Sequence, residues 1–185
     1  MARRNDFISP EGLRVDGRRA GEVRRLVLRL GAAAASAASD GSAYAELGNT
    51  KLLVTVSGPH EAAHRGKAVH DSALLTVEVT ALPCAGGQHR PQSTTDRTSV
   101  ELGAAIRKTF ESVIQLQLYP RTQIDVSVCV LQADGGVRSA AMNAVTLALI
   151  DAGVALEDFV CACSIGSIGG ALLLDPNAQV GTGVP

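Results

Sequence analysis

The segment VLQADGGVRSAAMNAVTLALIDAGV, residues 130–154, carries the strongest structural pattern in the sequence. Val130 and Leu131 end an alternating apolar stretch, and the two glycines at 135–136 permit a tight turn. Small and apolar residues then continue over 137–152, and Gly153 follows. The pattern predicts a strand, a glycine turn and a buried helix that stops at Gly153.

Alternation of apolar and polar residues predicts strands on both sides of this unit. In chain order, the predicted strands cover residues 26–30, 42–46, 51–57, 74–82, 123–131, 159–165 and 170–174. The strands at 42–46 and 51–57 are joined by a short turn and predict a hairpin. Hairpins followed by strand–helix units indicate an α+β (mixed α/β) domain, a mixed β-sheet packed with helices.

A second helix is predicted after the polar loop at 83–96, which is long enough to be functional or mobile. Residues 98–101, TSVE, form a capping-box sequence with a hydroxyl three residues before a glutamate. Leu102, Ile106 and Phe110 then recur at helical spacing. Thr98 is therefore the expected N-cap of this helix.

Charge is distributed unevenly. The chain has 185 residues with 17 Lys+Arg and 18 Asp+Glu, a net charge of −1. Its first 29 residues carry eight arginines and four acids, a charge of +4, so the remainder carries −5. This predicts a basic arm over 1–25 ahead of one domain over 26–185. The arm is either a contact surface for RNA or a neighbouring subunit, or a solvated charged segment.

Several classes of protein are disfavoured by composition. No apolar run approaches the roughly 20 residues of a membrane span, and the first residues lack the apolar core of a secretory signal. The four cysteines have no C-x-x-C spacing, which predicts buried reduced thiols in a cytosolic or nuclear protein. Aromatic residues make up 3% of the chain. RNA contacts would therefore depend mainly on phosphates.

The glycine turn before the helix at 137–152 is a candidate phosphate site. Unpaired N–H groups at a helix start attract an anion, and Gly135 and Gly136 would let it approach closely. Arg138 adds a cation and Ser139 a hydroxyl donor. The alternative is a glycine-rich helix cap with an exposed arginine. Asp134 either caps this helix or takes part in chemistry.

Other polar residues carry weaker signals. The four histidines have no metal-ligand spacing and are expected at the surface. Asp125 alternates with apolar neighbours and is expected to face water or to pair with an arginine.

Residues 130–154 closely resemble the RNase PH family. The resemblance continues through GLRVDGRRAGEVR (12–24), DGSAYAELGNTKLLVTVSGPHE (40–61), YPRTQIDV (119–126) and DFVCACSIG (158–166). The sequence is similar in particular to ring subunits of the archaeal and eukaryotic exosome. The resemblance implies the RNase PH fold, a hexameric ring of such domains, and RNA passing through or over that ring.

The resemblance also implies a site. Active family members use inorganic phosphate to attack the last phosphodiester of RNA, and a carboxylate acts as a general acid or holds a divalent metal. By motif position, Asp175 corresponds to the first catalytic aspartate and Arg97 to an RNA-contacting arginine. Arg65 and Lys67 lie in a loop that faces the RNA path in relatives. Phosphate and Mg²⁺ would be needed only if the subunit is active.

Two departures from the family pattern weaken the enzymatic interpretation. Thr98 stands where the family has a second arginine, and Gly181 where it has a second catalytic aspartate. The family also continues for some tens of residues beyond the strand that ends at Asp175. The sequence given is therefore either truncated or belongs to a member that has lost its last segment.

The sequence thus predicts a ring subunit that is catalytically weak or inactive. Its expected partners are other RNase PH-like subunits, RNA-binding cap subunits, a separate catalytic exoribonuclease and RNA, with no membrane. The expected location is the nucleus, nucleolus and cytoplasm if the source is eukaryotic. The alternatives are an active phosphorolytic 3′-to-5′ exoribonuclease and an RNA-binding scaffold outside any exosome.

Overall fold

The structure, a computed structural model, describes residues 9, 12–32, 39–61, 70–86, 96–168 and 170–178. Within them the elements are β1 (Leu26–Leu30), β2 (Gly41–Leu47), β3 (Thr50–Glu61), β4 (Leu74–Ala81), α1 (Arg97–Glu111), β5 (Thr122–Gln132), α2 (Val137–Asp151), β6 (Ile165–Ile168) and β7 (Ala171–Leu174). The predicted mixed class is confirmed, with strands and helices in the expected order.

Among the described residues, β1 to β5 form a mixed sheet in the order β1-β2-β3-β5-β4. Its pairs are antiparallel except β4 and β5, which run parallel from Leu74 opposite Gln123 to Ala81 opposite Val130. Parallel neighbours need a long crossover, and α1 lies in the segment that supplies it. β6 and β7 form a separate antiparallel hairpin.

One face of the sheet carries the hydrophobic core. Alternate residues of β3 and β5, such as Val54 and Val128, are fully buried on this face, as are Phe110 of α1 and Leu149 of α2. The alanines of α2 allow a close approach to β2. A Cβ on Gly41 would lie 2.4 Å from the Ala148 carbonyl oxygen, so β2 requires glycine there.

The start of α1 differs from the prediction. The helix begins at Arg97 with Asp96 as N-cap, so the prediction that Thr98 caps it is wrong. Thr98 lies inside the first turn, and its hydroxyl donates to the Asp96 carboxylate at 2.7 Å. Asp96 is itself a favoured N-cap residue and has the extended conformation of an N-cap. It therefore occupies the N-cap position ahead of Thr98.

The strand predicted at 159–165 is wrong over most of its length, because strand pairing begins only at Ile165. The preceding residues run extended along α2. The side-chain amide of Asn143 donates to the Ala162 carbonyl at 3.0 Å and accepts from the Ala162 N–H at 2.8 Å. Thr146 donates to the Val160 carbonyl at 2.8 Å. Helix side chains therefore take the place of a neighbouring strand.

The prediction that the cysteines are buried is also wrong. All four thiols are free; Cys84, Cys161 and Cys163 are exposed, and Cys129 is partly buried. Because Ala162 faces α2, the alternation of the extended chain turns its two cysteine neighbours outward. No helix in the described part of the chain is long and apolar enough to cross a membrane.

Asp125 was expected to face water or to pair with an arginine. Its side chain is 40% exposed and faces water as expected. It also lies 3.4 Å from Nε2 of His60, and Gln123 donates to it at 2.7 Å. The antiparallel register of β3 and β5 brings these three residues together, because His60 lies directly opposite Gln123.

Candidate phosphate and RNA site

Both helices begin at the same end of the sheet. β4 and β5 are parallel, and Gly103, in the first half of α1, contacts Val79 near the end of β4. Four residues separate the end of β5 from the start of α2. Arg97 and Arg138, the first-turn arginines of the two helices, therefore lie at the carboxyl edge of the parallel pair.

The turn before α2 is held by β3. Thr50 accepts a hydrogen bond from the Asp134 N–H at 3.1 Å and donates to the Gly135 carbonyl at 2.7 Å. Gly136 is the N-cap and adopts a left-handed conformation, with φ of 67°. Asp134 therefore does not cap the helix; its carboxylate accepts from Asn49 at 3.0 Å.

The first turn of α2 retains one feature of an anion site. Its backbone N–H groups at Val137, Arg138 and Ser139 form no hydrogen bond with any described residue. The Arg138 side chain is exposed beside them, and it too has no hydrogen bond or ion pair within the described chain. A helix N-terminus with a free cation suits a phosphate group.

Ser139 is engaged inside the protein. It is buried, its hydroxyl donates to the Gly136 carbonyl at 2.9 Å, and it lies 2.8 Å from the Ser164 hydroxyl. Its role in this structure is to join α2 to the segment before β6. Binding of phosphate by Ser139 stays a prediction, and it would require the hydroxyl to leave these two partners.

The two glycines admit the chain itself rather than an external anion. A Cβ on Gly135 would lie 2.6 Å from the Pro176 carbonyl oxygen, and one on Gly136 would lie 3.1 Å from Nη2 of Arg24 and 3.3 Å from Oδ1 of Asp175. The space directly beside these two glycines is therefore occupied by protein. Of the four predicted phosphate ligands, Arg138 alone presents its side chain to solvent.

Asp175 lies at the centre of an arginine cluster that we call the Asp175 cluster: Arg14, Arg18, Arg24 and Asp175. Arg24 donates from Nη2 to Oδ1 at 2.7 Å, from Nε to Oδ2 at 2.8 Å, and from its backbone N–H to Oδ2 at 3.0 Å. Arg18 adds a contact to Oδ2 at 3.3 Å. Both carboxylate oxygens are thus occupied, in the bidentate geometry that arginine favours.

Backbone contacts extend the cluster. Arg18 donates to the Asp175 carbonyl at 3.1 Å, and the buried Arg14 donates to the same carbonyl at 3.4 Å and also to the Ala20 carbonyl. The Leu174 N–H donates to Ala20 as well, at 2.9 Å. Part of the predicted basic arm is therefore fastened to the end of β7.

The electrostatics of Asp175 follow from these contacts. Burial alone would raise the pKa of Asp175, but the hydrogen bonds from Arg24, together with the charges of Arg24 and Arg18, hold the pKa below its usual value. Asp175 is therefore ionised at neutral pH. A general acid needs a pKa near the working pH and access to the proton it gives. The geometry favours a structural anchor over a general acid, and a catalytic role for Asp175 stays a prediction.

The remaining candidates are dispersed. Arg97 is 90% exposed and pairs with Glu101 at 2.6 Å. Arg65, Lys67 and Gly181 lie outside the described residues. Within the described ranges, no three His, Cys, Asp or Glu side chains come together as a metal site, and Asp175 is occupied by arginine. A Mg²⁺ ion held by Asp175 would have to displace the arginine donors, and its binding stays a prediction.

Sequence reasoning missed the Asp175 cluster. Arg24 and Asp175 are separated by 151 residues, and no local spacing connects them. The available signal was the excess of arginine near the start of the chain, which does not identify a partner. That excess predicts either a contact surface for RNA or a neighbouring subunit, or a solvated segment, whereas three of these arginines contact Asp175.

Comparison with known proteins identifies the family to which the chain belongs. Residues 22–155 match the 3′ exoribonuclease family, domain 1, also called RNase PH. The chain belongs to this family.

Its relatives include named exosome components. The chain is 48% identical to exosome complex component RRP41 of Homo sapiens over 171 residues, covering 92% of this chain and 69% of the relative. The RRP41 homolog of Arabidopsis thaliana is 43% identical, covering 93% and 70%. Rrp41 of Thermococcus gammatolerans is 41% identical, covering 92% and 67%.

Solved structures agree on the fold. Rice Rrp46 superposes with a TM-score of 0.79 at 24% identity, covering 92% of this chain and 75% of that one. An Archaeoglobus fulgidus exosome solved with RNA bound to the active site superposes with a TM-score of 0.74 at 21% identity, covering 91% and 72%. The predicted RNase PH-like fold is confirmed.

Proposed function

We propose that this chain is a core ring subunit of an RNA exosome, contributing to RNA threading and to 3′-to-5′ RNA processing and degradation. The observation that carries the proposal is the 48% identity, over 92% of the chain, to an exosome component. Its neighbours would be other RNase PH-like subunits in a hexameric ring, RNA-binding cap subunits and a separate exoribonuclease. The site of action is intracellular: nucleus, nucleolus and cytoplasm in a eukaryote.

The proposal includes weak or absent phosphorolysis by this subunit. Arginine binds the carboxylate of Asp175, and the hydroxyl of Ser139 is hydrogen-bonded within the protein. Thr98 stands where the family has a second arginine. Each change removes a donor or an acid that would stabilise charge developing in the transition state. The retained Arg138 suits holding an RNA phosphate as the strand passes.

Active phosphorolysis is the second candidate function, and one observation favours it. The exposed Arg138 lies beside three N–H groups that form no hydrogen bond with a described residue, an arrangement that could also hold inorganic phosphate near an RNA 3′ end. The two functions differ in whether phosphate is consumed.

The deciding assay measures nucleoside diphosphate released from labelled RNA with phosphate and Mg²⁺, in a ring whose other nucleases are inactivated. We expect release at the background of a phosphate-free reaction. Robust phosphate-dependent release that Arg138→Ala abolishes would replace the structural subunit with the phosphorolytic enzyme.

Assembly is tested separately by affinity purification and mass spectrometry. We expect other RNase PH-like subunits and RNA-binding cap proteins to be recovered with the tagged chain. Recovery of the chain without them would refute the exosome assignment and support an RNA-binding scaffold.

RNA retention by the assembled ring should depend on the arginines at the carboxyl edge. We expect Arg138→Ala to weaken binding of single-stranded RNA by about 1–2 kcal/mol and to reduce the salt dependence, because one charge-assisted phosphate contact is lost. Arg97→Ala should act in the same direction but less strongly, since Arg97 must first leave Glu101. Binding is measured by fluorescence anisotropy at several salt concentrations.

Arg107→Ala is the matched control for Arg97. Arg107 pairs with Glu111 at 2.6 Å in the same i, i+4 geometry, but at the opposite end of α1. Equal losses at Arg107 and Arg138 would mean that general charge, rather than this edge, holds the RNA.

A further inference from the structure

Arg24 connects the end of β7 with the turn before α2. Its guanidinium donates to both carboxylate oxygens of Asp175, at 2.7 and 2.8 Å. The same group donates from Nη1 to the Asp134 carbonyl, and from Nη2 to the Gly135 carbonyl at 3.1 Å. The side chain is 10% exposed, and each of its three nitrogens has a partner inside the protein. Arg24 is therefore placed to hold the turn and not to bind RNA itself.

The two carbonyl contacts set the direction of the backbone in the turn. In a planar trans peptide the C=O and N–H groups point in opposite directions, and the peptide bonds over 134–136 are trans. Because both carbonyls point toward Arg24, the N–H groups of Gly135 and Gly136 point away from it. Gly136 is left-handed and Val137 begins α2, a combination that directs successive N–H groups to one side and forms a concave site for an anion.

The direction of Arg138 follows from the same turn. Arg138 is the second residue of α2, and the helix starts at the N-cap Gly136, so a shift of the turn moves the first helical residues with it. Thr50 also holds the Gly135 carbonyl, at 2.7 Å. Arg24 adds a link from this turn to the end of β7, where its guanidinium is held by the Asp175 carboxylate.

The stem of Arg24 is itself held against the turn between β2 and β3. A Cβ on Gly48 would lie 2.6 Å from Cδ of Arg24 and 3.2 Å from its Cβ and Cγ. The Gly48 N–H donates to the neighbouring Arg25 carbonyl at 2.9 Å, which fixes the two segments together. An alanine at position 48 would therefore displace the Arg24 side chain.

We propose that Arg24 is a positioning residue for RNA binding at the start of α2. It holds the turn over 134–136 so that Arg138 and the first-turn N–H groups contact one RNA phosphate together. A guanidinium suits this role because its planar set of donors can bond a carboxylate and two carbonyls at once, whereas lysine has a single nitrogen. The inference rests on the proposed function and adds a residue that acts on the RNA contact from behind.

Arg24→Lys tests the proposal, because lysine keeps the charge but not the geometry. In the assembled ring, we expect this variant to bind single-stranded RNA about fivefold more weakly, the effect of about one charge-assisted contact. We also expect the salt dependence to fall by about one phosphate contact, as for Arg138→Ala, although no charge has been removed. Fluorescence anisotropy at several salt concentrations measures both quantities. Wild-type affinity in Arg24→Lys would overturn the inference.

A double variant distinguishes positioning from a general loss of stability. If Arg24 acts through the turn, Arg24→Lys should weaken binding by less than about twofold once Arg138 is alanine, because the phosphate contact has already been lost. A further loss of about fivefold in the Arg138→Ala background would show two independent effects. That result would contradict a positioning role.

Gly48→Ala displaces Arg24 without changing any charge, and Gly153→Ala is its matched control. Both glycines are left-handed, with φ of 58° and 70°, but a Cβ on Gly153 meets nothing within 4 Å. We expect Gly48→Ala to lower RNA affinity about fivefold and Gly153→Ala to lower it less than about twofold. Melting temperatures of the free variants show that both are folded. Equal RNA affinities would refute the inference, and this pair decides the question if Arg24→Lys does not assemble.

The outcomes separate this inference from the proposed function. Recovery of RNase PH-like subunits together with wild-type RNA affinity in Arg138→Ala would leave the ring-subunit assignment standing and overturn the positioning role. Recovery of no such subunit would overturn both.

Discussion

Replacing Asp175 with asparagine is expected to lower the free energy of unfolding by about 3–5 kcal/mol, because removing one member of a buried ion pair leaves the other without compensation. The asparagine keeps the volume but removes the charge from Arg24 and Arg18. An amide can accept at one atom only, so the bidentate contact with Arg24 is lost. Urea unfolding at neutral pH measures the change.

The pH dependence of this effect has a defined sign. Hydrogen bonds from Arg24 hold the pKa of Asp175 below its usual value despite burial. A carboxylate with a lowered pKa in the folded state adds stability above its unfolded pKa of about 3.9, and this stability is lost as the pH falls through the folded pKa. The difference in free energy of unfolding between wild type and Asp175→Asn should therefore be largest at pH 7 and decrease below about pH 4.

Asp71→Asn is the control for this experiment. The Asp71 side chain is 98% exposed, and its pairing with His70 is a surface contact. Its replacement should change stability by no more than about 0.5 kcal/mol. An Asp175→Asn variant as stable as Asp71→Asn would show that the cluster is not an anchor.

Much of the fold could be predicted because the decisive patterns are local. Alternation over 123–131 identified β5, and the apolar run after Gly136 identified α2 within one residue of its observed end. A strand that is buried on one face has an apolar residue at every second position. The same rule found the hairpin of β2 and β3.

Two differences between the predictions and the structure share a cause, which is a partner far away in sequence. The extended chain at 159–164 resembles a strand in composition, but its partners are Asn143 and Thr146 on α2. Asp175 follows a short strand at a position that the family resemblance associates with catalysis. In the structure it accepts hydrogen bonds from Arg14, Arg18 and Arg24. Local spacing identifies residues with the right chemistry for a site. Tertiary contacts determine which of those side chains remain available to bind a ligand.

Replacing Gly135 with alanine is expected to destabilise the protein well beyond the cost of its backbone conformation. Gly135 has φ of 78°, and a Cβ there would lie 2.6 Å from the Pro176 carbonyl oxygen, 2.7 Å from the Asn177 carbonyl carbon and 2.9 Å from the Ala178 nitrogen. All three are backbone atoms, so no side-chain rotation relieves the contact. Residues 176–178 would have to move away from the turn.

Gly153→Ala separates the two costs. Gly153 has φ of 70°, and a Cβ there meets nothing within 4 Å, so its replacement carries only the left-handed penalty of about 1–2 kcal/mol. Gly135→Ala should cost about 1–3 kcal/mol more, the range for overpacking a close-packed site. Because Asp175 directly precedes the displaced residues, the Gly135→Ala and Asp175→Asn losses should also fall short of additivity when combined. Equal costs at Gly135 and Gly153, measured by urea unfolding, would show that residues 176–178 do not pack against the turn.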